Sequence, residues 1–233
     1  MRRSSQLILL LIFIVPLGMG CFMGHMTTAR TVGDGNVGLT AAASYIPGNT
    51  LVDTINGVDL DDGEDAFGAL QLQGRLDIGL TDSLDLGLTT GAGIFVIPYW
   101  TGAEVELKYA FLQNPDSISL AAGFDAGLSM PGLTVGGALY LDSNAPYFPL
   151  HVSARPMVVF GDSGSDDEDG DGETDDEESD GAPFFAINLA AGFHFDLSET
   201  TRLIIEATTY NPTGGDVDMF SLWNIGAGVQ FVF

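Results

Sequence analysis

The chain has 233 residues, with 7 lysines and arginines against 32 aspartates and glutamates, which gives a formal net charge of −25. This negative balance excludes nucleic acid as a partner. Hydrophobic residues make up 45% of the chain and charged residues only 17%, so it is not an acidic disordered polymer. Apart from the amino terminus there are no long apolar runs, which excludes a helical membrane protein.

The amino terminus has the pattern of an export signal. Two arginines follow Met1, and an apolar stretch of about 13 residues covers positions 7–19. We therefore predict that residues 1–20 are a cleaved signal peptide. The Gly20-Cys21 step resembles a bacterial lipoprotein processing site, which implies that Cys21 is acylated. Ordinary signal cleavage near this position, with an incidental cysteine, is the alternative.

From residue 36 onward, apolar residues recur at every second position, which is the period of a β-strand. Ten such runs follow one another, each near the length that crosses a bilayer at a tilt. The runs cover residues 37–45, 70–80, 84–96, 103–111, 118–128, 133–141, 148–160, 185–195, 203–207 and 223–233.

These runs fit either a soluble β-sandwich or a transmembrane barrel, and two features favour the barrel. The polar faces are mostly Gly, Ala, Ser, Thr, Gln and Asn, which suit a crowded lumen better than a water-facing sheet. Short links follow the even-numbered runs and the longest links follow odd-numbered runs, as in outer-membrane barrels. We predict an all-β fold: a transmembrane, antiparallel, up-and-down β-barrel of about ten strands over residues 36–233, preceded by a periplasmic amino-terminal segment, 21–35.

Charged residues on the polar faces are predicted to line the lumen. Because a charge inside a narrow barrel is costly unless it is paired, we expect these side chains to form a network of ion pairs. A selectivity lining for small solutes is the functional alternative. The predicted lumen charges are Arg75, Asp77, Glu104, Glu106, Lys108, Asp125, Arg155 and Glu206.

An acidic tract lies in the long link 161–183, which topology predicts to be extracellular. Positions 162–180 hold 12 of the 32 acidic residues. Within the tract, one set of residues has the spacing of a calcium-binding loop with Gly172 at the turn, although the expected aliphatic residue is missing. A solvated acidic loop is the alternative. The candidate calcium ligands are Asp167, Asp169, Asp171 and Glu178.

Three stretches resemble a broad group of uncharacterised bacterial outer-membrane β-barrel proteins and lipoproteins. They are Gly20-Cys21 with the Thr27–Gly35 stretch, the strand–turn–strand at 79–88, and the closing strand 226–233. The last is similar to the sorting strand read by the barrel-assembly machinery. The resemblance implies location in the outer membrane of a Gram-negative-type bacterium, with outer-membrane lipid and that machinery as partners.

Two functions are compatible with the sequence. The first is a structural or surface-interaction protein with a narrow or filled lumen, and the second is a small porin-like pore or transporter. Ten strands leave little lumen once side chains are counted, which favours the first. The sequence has no grouping of a nucleophile, a histidine and an acid at the outer rim, so we expect no enzymatic activity. Apart from weakly bound calcium, no cofactor is expected.

Overall fold

The computed structural model describes residues 26–47, 69–94, 98–114, 116–129, 132–145, 147–160, 183–213 and 222–233. They form ten β-strands, which confirms the predicted number. The strands are β1 (Val37–Ile46), β2 (Ala69–Thr81), β3 (Leu84–Ile94), β4 (Pro98–Gln113), β5 (Ile118–Ser129), β6 (Gly132–Ser143), β7 (Leu150–Phe160), β8 (Phe184–Asp196), β9 (Thr201–Thr213) and β10 (Leu222–Val232).

Each strand pairs antiparallel with its neighbour in sequence, and β1 pairs with β10 to close the barrel. Closure satisfies the backbone N–H and C=O groups between strands and leaves no free edge, as a membrane requires. The predicted all-β, up-and-down barrel is confirmed. No helix within the described ranges is long and apolar enough to cross a membrane.

The two faces of the wall have opposite chemistry. In β5, the lipid-facing Phe124 is 62% exposed, whereas the next residue, Asp125, is fully buried on the lumen side. The same alternation runs through β1, where Leu39 and Tyr45 point outward while Thr40 and Ser44 point inward. An apolar outer band around a polar interior is the arrangement of outer-membrane barrels, and this protein is one of them.

The two ends of the barrel differ. At one end, here called the turn end, short connections cover residues 82–83, 114–117, 144–149 and 197–200, and the carboxyl terminus lies there too. At the other, the loop end, three connections are long and two, 95–97 and 130–131, are short. In outer-membrane barrels the short turns face the periplasm.

Several strands extend beyond the apolar runs that predicted them. β9 was expected over 203–207 but continues to Thr213, and β4 begins five residues earlier than expected, at Pro98. Hydrogen bonding continues where the outer face no longer needs to be apolar, so periodicity alone underestimates strand length. β7 starts at Leu150, two residues later than expected; Pro149 precedes it and has no N–H for the ladder.

Candidate functional site: the barrel lumen

The predicted lumen charges all lie inside the barrel. The eight side chains are at most 5% exposed. Burial of this kind requires partners, because an isolated charge removed from water is strongly unfavourable. Among the described residues, the lumen is therefore the place where buried charged side chains are gathered.

The first cluster is centred on Arg75 of β2. Its Nη2 lies 2.6 Å from Glu106 Oε2, and its Nε donates to Asp77 Oδ1 at 2.8 Å. The hydroxyl of Tyr140, on β6, donates to the other oxygen of Glu106 at 2.6 Å. The cluster thus links β2, β4 and β6 through the lumen.

Two glycines make room for this cluster. A Cβ at Gly87 would lie 2.4 Å from Arg75 Nη2, and one at Gly123 would lie 2.2 Å from Glu106 Oε1. Both distances are far below van der Waals contact, so any side chain at these positions would displace the ion pair. Part of the glycine content of the lumen face is therefore explained by packing.

The second cluster is centred on Arg155 of β7. Its Nη2 lies 2.7 Å from Asp125 Oδ1, its Nε donates to Asp125 Oδ2 at 3.1 Å, and Nη2 also pairs with Glu104. Two carboxylates around one guanidinium give a planar, two-point interaction for which arginine is suited and lysine is not. This cluster joins β4, β5 and β7.

A third group lies nearer the turn end, around His151. Its Nδ1 is 2.7 Å from Asp142 Oδ1 and its Nε2 is 3.4 Å from Glu206 Oε2. All three side chains are fully buried. His194, on the neighbouring β8, is also buried.

Sequence reasoning missed Asp142 because it was assigned to a turn between two strands. The structure continues β6 to Ser143, and the alternation that puts Leu139 and Leu141 outside puts Asp142 inside. Extending the period by one residue would have found it. Arg202 was missed as well, at the start of β9, where the expected strand began one residue later.

The turn-end half of the lumen also contains a separate piece of the chain. Residues 26–32, here called the luminal segment, precede β1, and residues 26–29 are buried. Four strands spread around the barrel supply their hydrogen-bonding partners: Asp85 on β3, Lys108 on β4, Asp142 on β6 and Arg202 on β9. A segment that contacts strands on several sides of the wall must lie inside it.

The backbone of the luminal segment is held by charged side chains. Lys108 Nζ donates to the carbonyls of Thr28 and Arg30 at 3.1 and 3.0 Å. Asp142 Oδ2 accepts from the N–H of Ala29 at 2.8 Å. Likewise Asp85 Oδ2 accepts from the N–H of Val32 at 3.0 Å.

A tight turn reverses the chain between the luminal segment and β1. Gly33 and Gly35 adopt φ values of 87° and 71°, a region that side-chain-bearing residues rarely occupy. The N–H of Asn36 donates to Gly33 O at 3.1 Å, and its side-chain amide donates to Val32 O at 2.9 Å. The Gly-Asp-Gly-Asn sequence thus directs the preceding residues back into the lumen. Of the segment 21–35, the structure describes residues 26–35; residues 26–29 are buried inside the turn end, whereas residues 34–35 are exposed.

Two other predicted sites lie outside the described residues. These are the lipidation site Cys21 and the calcium candidates Asp167, Asp169, Asp171 and Glu178. Within the described ranges, no group of three or more His, Cys, Asp or Glu side chains is arranged to hold a metal ion.

No protein-family model matches the chain, and no curated protein matches it. Similar solved structures include the NanC porin, at 11% identity over 83% of this chain and 98% of that one, with a TM-score of 0.43. The outer-membrane protease OmpT from Escherichia coli has 9% identity over 85% and 97%, with a TM-score of 0.41. The amino-terminal β-barrel domain of Pseudomonas aeruginosa OprF has 13% identity over 86% and 99%, with a TM-score of 0.36.

Proposed function

We propose that this outer-membrane barrel has a structural or surface-interaction role and that its lumen is closed to passive solute flow. The observation that carries the proposal is the filling of the lumen by buried ion pairs. The Arg75 cluster links β2 to β6, and the Arg155 cluster joins β4 to β7. These pairs join strands that are not neighbours, so they narrow the path that a hydrated solute would have to take.

The luminal segment supports the same proposal. It occupies the turn end, where Thr27, Thr28 and Ala29 are at most 1% exposed. At the loop end, an apolar cluster that includes Ile46, Met157 and Tyr210 is buried as well. Both ends of the lumen thus contain packed groups.

We also propose that the barrel is not catalytic. The Asp142–His151 pair is the arrangement most like a catalytic dyad within the described residues. However, both ring nitrogens of His151 face carboxylates, so neither is directed at a nucleophilic side chain. A histidine held in this way positions charges instead of transferring protons to a substrate.

Planar-bilayer recording of the purified, folded chain tests the closed lumen. Heat-modifiable migration on a denaturing gel confirms folding before the measurement. We expect no stable unit conductance steps. Stable steps would contradict the proposal and favour the alternative of a small porin-like pore.

Acylation of Cys21 remains part of the proposal. Met26 lies inside the lumen, and Cys21 precedes it by five residues, which span at most about 18 Å. A lipid on Cys21 would therefore be attached within about 18 Å of Met26. Mass spectrometry of the purified protein should show lipid on Cys21. A mature terminus elsewhere, or an unmodified thiol, would contradict it.

Calcium association with the acidic tract is the remaining proposal. The spacing of Asp167, Asp169, Asp171 and Glu178 supports it, together with the repulsion among twelve carboxylates that a divalent ion would relieve. Calorimetric titration of the full chain should show calcium uptake that is lost when residues 162–180 are deleted. Equal uptake by the deletion variant would contradict the assignment.

A further inference from the structure

We propose that the turn-end half of the lumen is a peptide-binding site and that the luminal segment is its ligand, attached to the barrel only through Gly33 and able to leave. The inference goes beyond a closed barrel, because it assigns to the wall a recognition function for a short peptide.

The wall recognises the backbone of the segment and fixes its direction. N–H groups of Ala29 and Val32 point at carboxylates, while the carbonyls of Thr28 and Arg30 point at the ammonium of Lys108. A chain running the other way would place donors and acceptors against the wrong charges.

Three side chains of the segment add selectivity. The hydroxyl of Thr28 accepts from Arg202 at 2.7 Å. Ala29 is fully buried, so the site accepts a small residue there. Arg30 Nη2 donates to both oxygens of Asp196 at 2.7 Å. The ligand class is a short peptide, bent at Ala29–Arg30, with threonine, a small residue and arginine in succession.

Charge also matches across this contact. The wall groups that touch the segment or its arginine are two cations and three carboxylates: Lys108, Arg202, Asp85, Asp142 and Asp196. Arg30 supplies the third positive charge. Among these groups and Arg30, cationic and acidic side chains are therefore equal in number, and removal of the segment leaves one more carboxylate than cations.

Glycines shape the wall around the segment. A Cβ at Gly38 would lie 2.7 Å from Val32 Cγ1, and one at Gly226 would lie 2.5 Å from Met26 Cε. A Cβ at Gly79 would lie 1.8 Å from the carbonyl oxygen of Gly33, at the point where the chain leaves the lumen. The absence of side chains at these three positions thus leaves the space that the segment and its exit occupy.

The barrel does not use the segment to close. All ten strand pairings, from β1–β2 to β1–β10, are formed without residues 26–32. Release of the segment therefore breaks contacts made by side chains and no hydrogen bond between strands. Such contacts are expected to open at a lower free energy than the strand pairings of the wall.

Thiol protection in the full chain tests whether the segment is seated and releasable. The chain carries Cys21→Ser and Met26→Cys, is folded in detergent micelles, and is treated with a bulky hydrophilic maleimide. A matched chain carries Thr200→Cys in the exposed turn instead. We expect the thiol at position 26 to react at least about tenfold more slowly than the thiol at position 200, because a buried thiol reacts only when the segment opens.

Two glycine variants of β2 then separate release from general damage. Gly79→Ala collides with Gly33, whereas Gly74→Ala has no atom within 4 Å of the added methyl group. We expect the first to accelerate labelling at position 26 and the second to leave it unchanged. If Gly79→Ala does not fold, Arg30→Glu gives the same test, because it sets a carboxylate against Asp196 without altering the wall.

A synthetic peptide with the sequence of residues 26–32 tests recognition directly. We expect it to bind the folded Arg30→Glu variant, to bind the parent chain at least tenfold more weakly because the site is occupied, and to lose binding when it carries Ala29→Leu. Three results would overturn the proposal. They are rapid labelling at position 26 in the parent, protection that survives both Gly79→Ala and Arg30→Glu, and peptide binding that is absent or equal in the two chains.

Discussion

The two halves of the lumen are filled in different ways. Above the turn end, side chains of the wall itself meet in the Arg75 and Arg155 clusters, and each partner belongs to a strand of the barrel. At the turn end, wall groups also bind a separate stretch of chain through its backbone. The side-chain clusters are part of the barrel wall, whereas the contact at the turn end is an interaction between the wall and the luminal segment. Their energetic consequences should differ accordingly.

Removing the guanidinium of a wall cluster should have the largest effect. Arg75→Met leaves Asp77 and Glu106 buried without a cation, and breaking a fully buried pair in this way costs about 3–5 kcal/mol. Urea unfolding in lipid vesicles measures the loss. The comparison variant is Arg202→Met, which loses a pair with the 50% exposed Asp196 and a hydrogen bond to Thr28, so that the loss should be smaller, about 2 kcal/mol. Equal losses would remove the distinction between the halves.

The difference between the halves also explains what the sequence could predict. Period-two alternation is local, so it located the ten strands and put residues such as Arg75 and Glu206 on the lumen face. Loss of this signal at strand ends explains why Asp142 and the full length of β9 were missed.

The luminal segment carries no such signal. Residues 26–32 have neither a strand nor a helix period, and their place depends on charges up to 174 positions away in the chain, as in the bond between Thr28 and Arg202. The Gly33–Asn36 turn marks a reversal, but only the folded wall shows that the reversal leads inward. Tertiary contacts decide this part of the site.

A smaller effect is expected when one methyl group is added beside the Arg75 cluster, in the half of the lumen that is filled by side chains of the wall. Gly123→Ala forces the carboxylate of Glu106 away from Arg75 and Tyr140, and overpacking of this kind costs about 1–3 kcal/mol. Gly74→Ala, with open space around it, should change the unfolding free energy by less than about 0.5 kcal/mol. The urea midpoints of the two variants measure both changes, provided that the unfolding free energy depends on urea concentration with the same slope. A neutral Gly123→Ala would mean that Glu106 is free to move, and that the cluster is not a packed unit.

In the segment-filled half, loss of one hydrogen bond should act locally. Thr28→Val removes the acceptor for Arg202, a bond to a charged group worth about 1.5 kcal/mol or more, which corresponds to roughly tenfold faster opening. Amide hydrogen exchange at Ala29, whose N–H is bound to Asp142, reports that opening. Thr27→Val is the matched control, since its oxygen lies 3.4 Å from Lys108 and makes a weaker contact. Exchange that quickens equally throughout the barrel would show that the segment is part of the cooperative unit instead.

The smallest effect is expected at the rim of the turn end, where the luminal segment and the wall both meet solvent. Asp196 accepts from Arg30 of the segment at 2.7 Å and from Arg202 of the wall at 2.8 Å, but it is half exposed. Exposed pairs contribute about 0–1 kcal/mol and are screened by salt, with a Debye length of about 3 Å at 1 M. Asp196→Asn should therefore leave the urea midpoint nearly unchanged, while at low salt it speeds labelling of a thiol at position 26 a few-fold, because the uncharged amide holds Arg30 less well. In 1 M salt the variant and the parent should label at the same rate, since screening has already weakened the pair in both. A variant that lowers the midpoint as much as Arg75→Met would show that this carboxylate supports the wall, and that the segment and the barrel unfold as one.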